Sequence, residues 1–156
     1  MLETYGLCEA EITIGNITMH SAHGHYQLNF EDNILYVEAQ GPFNKEVLAN
    51  YHHDIEKLIT KIKAKNKDLK WALLAIFHGN SILTPEAESA LINTAKYRAQ
   101  HGMIASANIF KNSIHADLQQ TQFARIYQEA KVRSHFFSDE KSAKNWLQGY
   151  LKEKTC

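Results

Sequence analysis

The sequence predicts an α/β protein in which a mixed, mostly parallel sheet is opened by a β-hairpin and covered by about four helices. Three observations support this prediction. Residues 26–39 alternate between apolar and polar side chains around a Glu-Asp-Asn turn, residues 71–77 form one apolar run, and amphipathic helical patterns separate the later apolar runs. Alternating strands and helices after a hairpin favour parallel pairing.

Length and charge narrow the class of protein. The 156 residues include 17 Lys and Arg against 17 Asp and Glu, and 44% are hydrophobic, which suits one globular domain. The zero formal charge argues against a nucleic-acid binder. The longest apolar run, Trp71 to Phe77, is too short for a membrane span, and no cationic leader opens the chain, so we expect a cytoplasmic protein. Cys8 and Cys156 form no CxxC motif.

The domain is expected to cover residues 25–152, after an N-terminal extension at residues 1–24. Apolar residues alternate on both sides of Gly15-Asn16, which suggests a hairpin there. A flexible arm or a dimer contact is an equal alternative for this extension.

Two helix starts carry capping signals. Asn44 is expected to cap the first helix, whose apolar residues fall on one arc. Thr84 is expected to cap the second helix, with Pro85 at its first position and an end near His101. The arc of the first helix comprises Val47, Leu48, Tyr51, Ile55, Leu58, Ile59 and Ile62, and the inner face of the second comprises Ala87, Leu91, Ile92, Ala95 and Ala99.

The rest of the chain continues the alternation. We predict a strand at 104–110, a helix at 116–132, a short strand at 135–137 and a last helix that Ser138 caps. The order is therefore β-β-α-β-α-β-α-β-α. The third helix carries glutamines that we interpret as a solvated face, at positions Gln119, Gln120, Gln122 and Gln128.

The tail from Phe137 to Leu147, FSDEKSAKNWL, resembles the ending of the SpoIIAA-like branch of the STAS superfamily (sulfate-transporter and anti-sigma-factor-antagonist domains). Three upstream segments match the same plan: the opening hairpin that ends in Gly41, the strand before a Thr-Pro-Glu-Ala helix start, and the chain from Phe110 onward. The similarity covers about Tyr26 to Leu151.

This resemblance implies a non-enzymatic regulatory domain that acts through protein–protein contacts in the bacterial cytoplasm. In the family, a kinase phosphorylates a serine or threonine after the third strand, within an Asp-Ser-Ser/Thr-Gly pattern. Here that stretch is HGNSILTP, without the acid and the glycine, and Ser81 or Thr84 would be the acceptor by position. Helix capping is the favoured interpretation of Thr84. The candidate partner-binding or phospho-acceptor residues are His78, Asn80, Ser81, Thr84 and Glu88.

Two polar groups have competing interpretations. His20, His23 and His25 have the ligand chemistry of a zinc or nickel site, but no Cys, Asp or Glu lies beside them, so we favour a solvated loop and expect no metal. Glu88 and Arg98 fall within the apolar arc of the second helix. Either could line a polar site or meet a partner elsewhere on the sheet, but such residues more often extend their charged ends into water.

Enzyme signatures are missing from the sequence. No G-x-S-x-G elbow and no glycine-rich nucleotide loop occurs, so we expect no catalytic residues and no cofactor. The expected partner is a protein, and a homo-oligomer is compatible with the same surface. The alternative function is a carrier for a small apolar or lipid-like ligand, held between the alanine-lined second helix and the sheet.

Overall fold

The computed structural model describes residues 14–21 and 24–155. Six strands and four helices alternate much as the sequence predicts. Their bounds are β1 Ile14–Ser21, β2 Gly24–Glu31, β3 Ile34–Gln40, α1 Lys45–Lys65, β4 Trp71–His78, α2 Pro85–Gln100, β5 Met103–Lys111, α3 Ala116–Ala130, β6 Arg133–Phe136 and α4 Glu140–Thr155.

The strands form one sheet in which the spatial order equals the chain order, β1-β2-β3-β4-β5-β6. The β1–β2 and β2–β3 pairs are antiparallel, and the β3–β4, β4–β5 and β5–β6 pairs are parallel. The predicted mixed sheet with an opening hairpin and four covering helices is therefore confirmed.

The N-terminal strand differs from the sequence expectation. Gly15-Asn16 lies inside β1, where the pairing with β2 shifts register between Ile14 and Ile17, rather than at a hairpin turn. An extra residue in one strand can be absorbed as a bulge without ending the strand, which explains why a turn-like dipeptide is compatible with β1. The pairing continues as far as Ser21, which lies opposite Gly24. Much of the segment around His20 and His25, which we expected to be a loop, is therefore strand.

The two faces of the sheet are covered unequally. Helices α1, α2 and α3 share one core with the sheet face that contains Leu35, Leu73 and Phe77. On the opposite face α4 buries Ala143, Leu147 and Leu151 against a second cluster from β3, β4 and β5. Residues 71–77 are all buried, as the uninterrupted apolar run predicts for a strand covered on both faces. The predicted apolar arc of α1 is buried in full.

The helix starts show how local chemistry sets the element boundaries. The side chain of Asn44 accepts a hydrogen bond from the Val47 amide at 2.9 Å, as predicted. In the last helix the expected cap, Ser138, is replaced by its neighbour, because the Asp139 carboxylate accepts from the Ser142 amide at 2.8 Å and from the Ser142 hydroxyl. A carboxylate at a helix N-terminus also interacts favourably with the helix dipole.

Candidate functional site

The loops that follow β4 and β5 lie side by side at the carboxyl ends of these parallel strands. The Gly79 amide donates to the Lys111 carbonyl at 2.8 Å. The Asn80 side-chain carbonyl accepts from the Ser113 hydroxyl at 3.2 Å and from the Ile114 amide at 3.3 Å. Asn80, one of the predicted partner-binding residues, therefore fixes one loop against the other.

Two large apolar side chains beside this junction face solvent. Ile114 is 84% exposed and Leu118 is 48% exposed, and these are the large hydrophobic side chains that stand out as exposed within the described ranges. Ile114 lies in the turn just before α3, and Leu118 lies in the first turn of that helix. We call Ile114 and Leu118 the apolar patch. The sequence contained a signal for it, an isoleucine in the polar stretch KNSIHAD, which the core-directed pattern of α3 did not use.

Gln122 attaches the loop after β4 to α3. Its side-chain carbonyl accepts from the Leu83 amide at 3.1 Å, and its side-chain NH2 donates to the Leu83 carbonyl at 3.0 Å. The solvated-face interpretation was wrong for Gln122, which is 7% exposed, and for Gln119, which is fully buried and accepts from Ser113. Both glutamines satisfy polar groups of the two loops.

Ser81 is not presented to solvent. It is fully buried, and its hydroxyl donates to the His78 carbonyl at 3.2 Å and accepts from the Gly41 amide at 3.2 Å. These bonds hold the loop after β4 against the end of β3. A kinase would have to open this packing before it reached the Ser81 hydroxyl, so the described geometry favours Thr84 over Ser81 as an acceptor.

Thr84 is exposed at the N-terminus of α2, where its hydroxyl oxygen accepts from the Ala87 amide at 3.1 Å. The predicted cap is therefore confirmed. Its position differs from that of Ser81, because the Thr84 side chain stands at the surface one residue after the Leu83–Gln122 contact.

Glu88 lies one turn further along α2 and forms an ion pair with Arg125 of α3. Both carboxylate oxygens are used, and the contact from the Arg125 Nη2 to Oε2 is 2.9 Å. The hydrogen bond from Arg125 holds the pKa of Glu88 below its ordinary value, although partial burial opposes this shift. Glu88 therefore meets a charged partner, but on the helix α3 and not on the sheet.

His78 lies on the other face of the sheet. Its Nε2 is 2.6 Å from the Glu38 Oε1, and the two side chains are 32% and 58% exposed. Nearby residues on this face include Gln27 of β2 and Gln40 of β3, which are polar and exposed. The side chain of His78 therefore lies on the opposite side of the sheet from α2, although its carbonyl accepts from Ser81.

The predicted residues thus divide into three groups. The loop after β4 and the first turn of α2 contain Asn80, Thr84 and Glu88, and α3 meets them through Gln122, which bonds the Leu83 backbone, and Arg125, which pairs with Glu88. Ser81 is internal, and His78 belongs to the opposite face. We call the surface formed by Asn80, Thr84, Glu88, Arg125 and the apolar patch the α2–α3 surface. It combines two exposed apolar side chains with one ion pair.

The histidines of the N-terminal strands do not form a metal site in the part of the chain that the structure describes. His20 and His25 are directly opposite each other in the β1–β2 pair, while His23 lies outside the described residues. No group of three or more His, Cys, Asp or Glu residues there has the arrangement of a metal site. In place of the expected loop, His20 and His25 belong to paired strands.

A small cavity lies between the sheet and the helices that cover its first face. Its volume is about 40 Å³, and its walls are largely apolar, with Ala75 and Phe77 from β4 and Leu91 from α2. Arg98 also lines it and is 1% exposed, so the expectation that this side chain extends into water was wrong. The side chain is held inside because Tyr51 of α1 accepts a hydrogen bond from it at 2.7 Å.

Within the described ranges, no helix is both long and apolar enough to cross a membrane. Comparisons of the chain with protein-family models, with curated proteins and with solved structures found no match.

Proposed function

We propose that this chain is a non-enzymatic, STAS-like regulatory domain of the bacterial cytoplasm that acts by protein–protein contact, with the α2–α3 surface as its docking face. The resemblance of its sequence to SpoIIAA-like domains supports the regulatory role. The exposed apolar patch, next to the loop in which that family recognises its partners, supports the location.

The observation that carries the proposal is the exposure of Ile114, on a loop that Asn80 holds in place, and of Leu118, in the first turn of α3. Burying a fully exposed isoleucine or leucine contributes roughly 1.5–3 kcal/mol. From exposures of 84% and 48%, a partner that covers both would gain about 2 kcal/mol from Ile114 and about 1 kcal/mol from Leu118. Together these correspond to about a hundredfold in affinity.

Thr84 is the residue through which a kinase would regulate this contact. A phosphate on an exposed helix N-cap gains from the positive end of the helix dipole, and it adds nearly two negative charges. Glu88 already contributes a negative charge to the same surface, although Arg125 pairs with it. Phosphorylation would therefore make the surface more acidic beside the apolar patch, which weakens an apolar partner contact.

The contact is tested with the full chain as bait in a lysate of its native host. Wild type is compared with Ile114→Lys, and Thr60→Lys serves as the matched control because Thr60 is exposed on α1 and gains the same charge. We expect at least one protein to be retained by wild type and by the control, and to be depleted at least about tenfold with Ile114→Lys. Equal recovery of every partner with all three baits would contradict the proposed docking face.

The switch is tested separately with Thr84→Glu and Thr84→Ala. Both substitutions remove the threonine side chain, but only glutamate adds charge. If regulation works through charge, the partner dissociates from Thr84→Glu and stays bound to Thr84→Ala. If both variants bind the partner equally, the proposed regulation at Thr84 is refuted, whereas the proposed docking contact is unaffected.

A small-ligand carrier remains the second candidate, and the cavity is the observation that favours it. It lies between the sheet and helices that include α2, where the sequence suggests a pocket. A cavity of about 40 Å³ holds only a few non-hydrogen atoms, whereas an engineered cavity that binds benzene has about 150 Å³. A lipid-like ligand would require the helices to move apart, and native mass spectrometry of the purified protein would detect such a ligand.

A further inference from the structure

The buried guanidinium of Arg98 has unused hydrogen-bonding capacity. Its Nη1 donates to the Tyr51 hydroxyl at 2.7 Å. Its Nε and Nη2 have no hydrogen-bond partner among the described residues, although both atoms are inaccessible to solvent. The Tyr127 hydroxyl lies close enough to the guanidinium to help raise the pKa of Arg98, but it does not reach hydrogen-bond geometry at either of these two nitrogens. Buried donors without a partner are rare in proteins, so these two unpaired nitrogen atoms require an explanation.

The charge of Arg98 is likewise unbalanced. Burial acts to lower the pKa of Arg98, but Tyr51 and Tyr127 together raise it, and the net direction is upward, so the side chain stays cationic. Burial also raises the pKa of Tyr51, so this phenol is neutral at physiological pH. Within the described ranges no ion pair includes Arg98, whose guanidinium carbon lies 5.8 Å from the centre of the Tyr51 ring among largely apolar cavity walls.

The two unpaired donor groups of Arg98 are arranged to suit one kind of ligand. Adjacent Nε–H and Nη2–H groups of a guanidinium form a planar fork that matches the two oxygens of a carboxylate. The cavity beside Arg98 is walled mainly by apolar groups and has a volume of about 40 Å³, which corresponds to roughly three water-sized sites. A ligand of this size has a carboxylate and one or two carbon atoms beyond it.

We propose that the cavity binds a small carboxylate anion, with Arg98 as the ion-pairing group and the apolar walls of α1, β4 and α3 around the rest of the ligand. The site lies inside the core and does not rest on the proposed docking face. Because carboxylates also occur at the heads of fatty acids, the test includes short and long chains.

The first measurement uses the wild-type chain labelled with ¹⁵N. The sequence contains three arginines, Arg98, Arg125 and Arg133, so an arginine-optimised spectrum has at most three Nε–H signals. The protein is titrated with sodium acetate and, in a separate experiment, with sodium chloride, both at constant ionic strength. We expect one Nε–H signal to shift saturably with acetate and not with chloride. No selective shift, or equal shifts with both anions, would overturn the proposal.

Two variants assign that response to the cavity. Arg98→Met removes the cation and fills a similar volume. Ala75→Val retains Arg98 and adds two carbon atoms to a cavity wall that is 1% exposed. Both should weaken acetate binding at least tenfold, while Arg133→Met, which alters an exposed arginine on β6, should leave it unchanged. If Arg98→Met does not fold, the wild-type titration and Ala75→Val decide.

Octanoate distinguishes the source of the carboxylate. A cavity of this volume should bind octanoate no more tightly than acetate, and formate should bind comparably to acetate. Tighter binding of octanoate would overturn the small-anion assignment and support a carrier for longer chains. Unchanged acetate binding by Ala75→Val and Arg98→Met would place any observed binding elsewhere. None of these binding results affects the pull-down with Ile114→Lys. The anion site and the docking face can therefore be refuted independently of each other.

Discussion

Replacing Gln122 by alanine should release the loop after β4 from α3. The substitution removes two hydrogen bonds, of 3.1 and 3.0 Å, and leaves the amide and the carbonyl of Leu83 without their partner. Leu83 is 4% exposed, so water reaches these groups poorly. A buried backbone group that loses its hydrogen bond costs roughly 1–3 kcal/mol, and partial entry of water favours the lower half of that range. We therefore expect Gln122→Ala to reduce the free energy of unfolding by about 2–4 kcal/mol.

Urea denaturation measures this loss, with Gln120→Ala as the matched control because Gln120 is exposed on the same helix. The control should differ from wild type by less than about 0.5 kcal/mol. Hydrogen exchange gives a local test, since the Leu83 amide should lose protection in Gln122→Ala while amides of β4 retain it. A Gln122→Ala stability equal to that of the control, with the Leu83 amide still protected, would refute the inference that this side chain anchors the loop.

Three further substitutions test individual contacts. Thr84→Ala should lower the free energy of unfolding by about 1 kcal/mol in urea denaturation, because it removes the cap of α2; a change below about 0.3 kcal/mol would contradict this role. The lowered pKa of Glu88 means that its ion pair stabilises the fold above the ordinary glutamate value of 4.5, and that this contribution is lost as the pH falls through the lowered pKa. Glu88→Gln should therefore be less stable than wild type at pH 7, and this difference in the free energy of unfolding should narrow as the pH falls below 4.5, whereas a difference that widens on acidification would have the wrong sign. Gly41→Ala would place a Cβ 2.9 Å from the Ser81 Cα, so we expect the free energy of unfolding, measured by thermal denaturation, to fall by about 1–3 kcal/mol. An unchanged stability would mean that the loop shifts freely and would contradict this expectation.

Elements whose signals are local were predictable from the sequence. The cap at Asn44 and the apolar arc that follows it lie within about five turns of one helix, and each residue's role depends on its near neighbours. The same holds for Thr84-Pro85 at the start of α2. The uninterrupted run at residues 71–77 predicted a doubly covered strand, because only such a strand has no polar face.

Features that depend on distant partners were not predictable in this way. Gln122 has the composition of a solvated residue, and only the fold brings it to the Leu83 backbone, 39 positions away. Arg98 is similar, because its hydrogen-bond acceptor, Tyr51, lies 47 positions earlier in the chain. Periodicity reports which side of a helix faces inward, but it does not report whether a polar group finds a partner there.

The candidate site likewise contains some features that the sequence predicts and others that depend on distant partners. The sequence identified the segment after β4, and it placed Asn80, Thr84 and Glu88 on it. It could not separate the buried Ser81 from the exposed Thr84, since both are hydroxyl residues in one short loop. The contribution of Ile114 was missed because it comes from the next strand's loop, which joins the site only through parallel pairing of β4 with β5.

The agreement between strand order and chain order also bears on biosynthesis. Each strand of the described sheet pairs with the strand synthesised immediately before it, so no strand must wait for a later one to be inserted between itself and its predecessor. A growing chain can therefore extend the sheet at one edge while the ribosome is still translating the remainder. Of the described elements, helix α4 follows β6 and would dock last, and until it does the apolar residues of β4 and β5 on that side remain exposed.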